Sequence, residues 1–113
     1  MEYKLYGIAN CDTVRKAKNF LKNIDVAFEF VDFKKISPQI EWLKRWELFF
    51  GELPANKKGP TFRKIKEAYD IGSKSEKMAL LIANSSAIKR PILEKEGTVL
   101  AIGFDEEIYR KIK

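Results

Sequence analysis

The sequence predicts an α/β fold in which helices surround a four-stranded mixed sheet. Three observations lead there. The first third reads strand, helix, strand, and a crossover of that length sets its two strands parallel. The middle carries helical signals throughout. The last quarter holds a hairpin pattern followed by a helix.

Residues 3–8 form the first expected strand, ended by Ala9 and Asn10. From Val14 the apolar residues fall at Val14, Ala17, Leu21 and Ile24, with Phe20 alongside; this is helical spacing, with Lys16, Lys18 and Lys22 toward water. Residues 26–33 are β-branched and aromatic and read as the second strand. Ser37 and Pro38 read as N-cap and first position of a helix that sets Ile40, Leu43, Trp46 and Phe50 on one side. Residues 51–60 hold two glycines and two prolines and form a loop. A short helix over 61–69 groups Phe62, Ile65 and Tyr69, and Ser73 with Glu76 forms a capping box that opens the next. Residues 92–94 and 98–102 make a hairpin around Lys95, Glu96 and Gly97, and 105–112 is a closing helix with Ile108 and Ile112 four apart.

The 113 residues suffice for one core, so the expectation is a single domain over 1–113 with a helical insert at about 37–88. A content of 45% hydrophobic and 34% charged residues is that of an ordinary globular protein. No apolar run approaches the roughly 20 residues that span a bilayer, and the opening residues lack the layout of a signal peptide. A cytoplasmic location without membrane association is expected. The lysines and arginines behind the net charge of +6 are spread along the chain. They suit small anions or an acidic partner, and no nucleic-acid motif accompanies them.

The chain has no histidine and one cysteine. An internal disulfide, a Ser-His-Asp triad and a Cys-His pair are thereby excluded, and no metal site is expected. That one cysteine, Cys11, stands where strand gives way to helix, outside the carboxyl end of the strand where α/β sheets meet ligands. The first-turn amides of a helix lack carbonyl partners and carry partial positive charge. A thiolate there is stabilised, and its pKa falls from about 8.5. Arg15, one turn on, adds to that field; Asp12 opposes it unless its carboxylate caps the following amides. Val14 stands where a C-x-x-C motif would have its second cysteine. Any mixed disulfide or adduct at Cys11 therefore needs an external thiol, such as glutathione or a glutaredoxin, to resolve it.

Two further arginines stand out. Arg90 precedes Pro91 at the entrance to the hairpin, where the X-Pro bond can be cis. Arg63 falls in the first turn of its helix, away from the apolar face. Guanidinium forks match carboxylates and tetrahedral oxyanions.

The stretches YGIANCDTVRKAKNFL, TFRK, IKRPIL and IGF, in this order and spacing, resemble the arsenate reductase (ArsC-type) family, closest to its short YffB-like branch. The resemblance covers essentially the whole chain and implies a thioredoxin-like fold with an inserted helical part. It implies that Cys11 is the nucleophile with Arg15 assisting, and that Arg63 and Arg90 hold the substrate, with Pro91 the cis residue. Asn10, Asp12 and Thr13, around the cysteine, are the remaining candidates for substrate contact. Two departures stand out. Family enzymes that reduce arsenate carry a third arginine near the end of the hairpin, where this chain reads Ala101-Ile102-Gly103-Phe104. They also carry a histidine before the cysteine, where Gly7-Ile8-Ala9-Asn10 stands here. Losing one charge-assisted hydrogen bond costs on the order of 1.5–3 kcal/mol, or roughly one to two decades in affinity. The expected activity is thus a thiol-dependent reductase with glutathione as co-substrate and no bound cofactor. The alternatives are a glutathione- and glutaredoxin-coupled arsenate reductase, and a regulator resembling the Spx type that binds RNA polymerase.

Overall fold

The computed structural model describes residues 2–112. The chain divides into two units, one running up to Ile36 and resuming at Arg90, the other Ser37–Lys89. The first unit holds β1 (Tyr3–Gly7), α1 (Asp12–Asn23), β2 (Phe28–Asp32), β3 (Ile92–Lys95), β4 (Thr98–Ile102) and α5 (Glu106–Arg110). Its four-stranded sheet has the order β2-β1-β3-β4. β1 pairs parallel with β2 and antiparallel with β3, and β3 pairs antiparallel with β4. This mixed sheet, built from βαβ followed by ββα, is the thioredoxin-like arrangement.

β1 and β2 match residue for residue, Tyr3 with Phe28 through Gly7 with Asp32. Val26 and Ala27, expected in the second strand, therefore have no ladder partner. The Val26 N–H instead donates to the Leu21 carbonyl at 2.9 Å and closes the turn out of α1. Between β3 and β4 the turn residues Glu96 and Gly97 have φ of 50° and 80°. Two successive left-handed residues make the type I′ geometry that matches strand twist, and glycine adopts it without a Cβ penalty.

Leu5, Ala17, Leu21, Val26, Leu93, Ala101 and Tyr109 form the core of this unit. Phe20, Phe104 and Tyr109 meet edge to face, with centroids 4.9–6.1 Å apart. The closing helix is shorter than 105–112, and its inward residue is Tyr109, fully buried, whereas Ile108 is 41% exposed. Asp105 caps it by accepting the Glu107 N–H at 2.9 Å, which fixes the phase that turns Tyr109 inward.

The second unit holds α2 (Ile40–Phe50), α3 (Pro60–Ile71), α4 (Lys74–Ala83) and a 3₁₀ turn over Ser85–Ala87. Ser37 and Pro38 do not start α2. The first carbonyl to accept helical bonds is that of Gln39, from Trp42 and Leu43, and Pro38 is buried ahead of the helix. Of the stripe expected on α2, Leu43 and Trp46 are fully buried, while Ile40 and Phe50 at its ends are exposed. On α3, Phe62 and Tyr69 pack edge to face at 5.1 Å. The capping box of α4 is complete: the Ser73 hydroxyl accepts the Glu76 N–H at 3.2 Å, and the Glu76 carboxylate accepts the Ser73 N–H at 2.8 Å. No helix among the described residues is long and apolar enough to cross a membrane.

Candidate active site

β1 delivers the chain to the start of α1 through Ile8, Ala9 and Asn10, of which Ala9 and Asn10 are exposed. Cys11 is the N-cap of α1, with extended backbone at φ −140° and ψ 126°, and its carbonyl accepts the Arg15 N–H at 3.0 Å. An N-cap side chain ordinarily offers an oxygen to the amides of the second and third helical residues. Here a sulfur occupies that place. As a thiol it makes no capping hydrogen bond. For the thiolate the donors are in position: the Val14 N–H, the Arg90 guanidinium and the Thr13 N–H.

The Cys11 thiol titrates below its ordinary value. Partial burial is the largest single influence and pushes it up, but the Val14 amide, the Arg90 guanidinium and the Thr13 amide together outweigh it. The sulfur remains partly accessible to solvent.

Arg90 reaches this point from the entrance to β3. Its peptide bond with Pro91 is cis, and Pro91 is buried. The Pro91 carbonyl accepts the Gly103 N–H at 2.8 Å, which ties it to the end of β4. Gly7 lets these parts converge. A Cβ there would lie 2.7 Å from Val14 Cγ2 and 3.8 Å from the Arg90 Cβ. The bare backbone thus allows the first turn of α1 to press against the end of β1 beside Arg90. The sequence reading missed Gly7; its only signal was a glycine closing a strand directly before the motif.

Arg15 was expected to add to the field at the sulfur. Its guanidinium pairs with Asp12 at 3.1 Å, both side chains mostly exposed. The charge that opposes the thiolate and the charge meant to assist it therefore offset each other. Thr13 is half-buried beside Cys11, and Asn10 is exposed in the approach. Arg63 is exposed on the first turn of α3, in the other unit. At the end of the hairpin Ala101 is buried, Gly103 has φ 85° and Phe104 packs on Tyr109, so no cation stands in that stretch.

The arrangement in the first unit is a partly exposed sulfur held toward its anionic form by two backbone amides and one guanidinium. It suits nucleophilic attack on an electrophile that brings a negative charge.

Residues 6–112 match the model of the ArsC family. Among solved structures, a YffB protein is 37% identical, with 96% of each chain covered and a TM-score of 0.83. A structure described as a possible arsenate reductase from Streptococcus mutans UA159 is 29% identical over 91% of each chain, with a TM-score of 0.76. An uncharacterized protein of Haemophilus influenzae is 33% identical over 108 residues, 94% of each chain. The matched residues make up nearly the whole chain, and the chain belongs to the ArsC family.

Proposed function

We propose that this protein is a thiol-dependent reductase in which Cys11 is the nucleophile and glutathione the external thiol. The observation that supports it is the set of donors around one sulfur: the amides of Val14 and Thr13 and the guanidinium of Arg90. These donors lower the thiol's pKa and so favour the thiolate, which is the attacking species.

The chemistry balances with two thiols. The Cys11 thiolate attacks the glutathione sulfur of a mixed disulfide RS–SG, forming Cys11–S–SG and releasing RS⁻, which takes up a proton. A second glutathione thiolate then attacks the glutathione sulfur on Cys11. It forms GSSG and returns the Cys11 thiolate. The net reaction is RSSG + GSH → RSH + GSSG, with two electrons passed to the substrate sulfur. Glutathione suits the site because its carboxylates can meet the Arg90 fork while its sulfur faces Cys11.

Arsenate reduction is the second reading, favoured by the family and by the neighbour described as a possible arsenate reductase. The stretch Ala101-Ile102-Gly103-Phe104, with no cation, weighs against it. The experiment follows turnover of a glutathionylated peptide and of arsenate, each with glutathione, against Cys11→Ser. Turnover of the peptide alone is the expected result. Arsenate turnover with no peptide turnover selects the second reading, and neither above the Cys11→Ser background overturns both.

A further inference from the structure

The second unit contains a cavity that the chemistry at Cys11 does not use. Two short links build it. Ala55 and Ile88 form an isolated antiparallel bridge, and on either side of it the Asn56 N–H donates to the Ala87 carbonyl at 2.6 Å and the Lys89 N–H to the Pro54 carbonyl at 2.7 Å. Beyond the bridge the chain reverses in a tight turn, closed by the Gly59 N–H on the Asn56 carbonyl at 3.1 Å. That turn presents Lys57 and Lys58 from its two central positions, and the bridge brings Lys89 alongside them. The space they line has a volume of about 210 Å³.

Charge here is not balanced. Three ammonium groups line the cavity with one carboxylate, that of Glu52, and Lys57 Nζ holds it at 3.2 Å. Lys58 and Lys89 have no carboxylate within 4 Å among the described residues; Lys89 Nζ instead lies 5.4 Å from the centroid of the Phe50 ring. With the one carboxylate already held by Lys57, the two further like charges at this small space repel each other, and a multivalent anion between them removes that repulsion. The Asn56 side chain adds amide polarity, and Phe50 and Ala55 give the cavity an apolar wall. Its volume is below the range of pockets that enclose a whole drug-sized ligand, and it suits one tetrahedral anionic group.

We infer that this cavity binds a phosphate group, held by Lys57, Lys58 and Lys89 against the Phe50 wall. The group is either free phosphate or the end of a phosphomonoester. The inference is independent of the reactivity assigned to Cys11.

The test titrates the intact protein at constant ionic strength, exchanging chloride for inorganic phosphate or for glycerol phosphate, with backbone amide resonances as the readout. The expected result is a saturable shift concentrated on Asn56, Lys57, Lys58 and Lys89. Lys58→Gln and Lys89→Gln, both at exposed side chains, are each expected to weaken binding about tenfold, the effect of one charge-assisted contact. Glu52→Gln, which removes the one carboxylate, is expected to tighten it. Tighter binding of glycerol phosphate identifies the phosphomonoester as the ligand class, and equal binding identifies free phosphate. A shift that never saturates, or that the three variants leave unchanged, overturns the inference.

Discussion

Cys11 is a cap residue whose side chain is a poor acceptor as a thiol and a strong one as a thiolate. That contrast lowers the thiol's pKa at this helix start, because the Val14 and Thr13 amides and the Arg90 guanidinium favour the anion. The pair Asp12–Arg15 sits one turn away, self-neutralised at 3.1 Å. Neutralising both, in the double substitution D12N/R15Q, is expected to leave the thiol titration where it is. Neutralising Arg15 alone exposes the Asp12 charge and raises the pKa. The comparison is read from the pH dependence of alkylation. Tyr109 gives a prediction of another kind. Its hydroxyl is buried without a hydrogen-bond partner among the described residues, and burial pushes its pKa well above the ordinary tyrosine value. An unpaired buried hydroxyl costs about 1–3 kcal/mol, so Tyr109→Phe is expected to raise the unfolding midpoint in urea, with the aromatic packing on Phe20 and Phe104 retained.

The decisive junction among the elements is where the first turn of α1 meets the end of β1. Val14 is fully buried and stiff at χ1, and its Cγ2 would lie 2.7 Å from a Cβ at position 7. Gly7→Ala is therefore expected to cost about 1–3 kcal/mol through overpacking and to slow alkylation of Cys11 as the helix start is pushed from Arg90. Ser73→Ala opens the capping box of α4 and is expected to cost about 1 kcal/mol, read by thermal unfolding, without touching the reactivity of Cys11. These elements differ in how far the sequence reveals them. The capping box could be read directly, because it is local chemistry within four residues, and the hairpin was legible too, although Lys95, read as part of its turn, pairs with Thr98 in the ladder. The start of α2 could not. Ser37-Pro38 matches a helix start, yet Pro38 is buried ahead of the helix and the cap falls at Gln39, whose own backbone is extended. The inward residue of α5 escaped for a similar reason: Ile108 and Ile112 suggest the apolar face, whereas the Asp105 cap sets the phase that buries Tyr109. At the site, the helix-start environment of Cys11 was legible locally. The contact of Arg90 with it was not legible locally, since it depends on how the strands pair.

At the scale of the whole molecule, the lowered pKa of Cys11 links the candidate site to folding. This pKa is lower in the folded chain than in the unfolded one, where it stands near 8.5. Ionisation then stabilises the fold fully above the unfolded value, and the gain is lost as pH falls through the lowered folded value. Denaturant unfolding of the natural chain and of Cys11→Ser, followed from acid to mildly alkaline pH, is expected to show a stability difference that shifts toward the natural chain as pH rises through that window and then levels off. The most direct test of the account is the rate of Cys11 alkylation by iodoacetamide as a function of pH, in the natural chain and in Arg90→Gln. An uncharged reagent reports the thiolate fraction without attraction to the cations. The account predicts a midpoint below 8.5 in the natural chain that moves upward when Arg90 is neutralised. A midpoint at or above 8.5 in the natural chain, unmoved by Arg90→Gln, would contradict it.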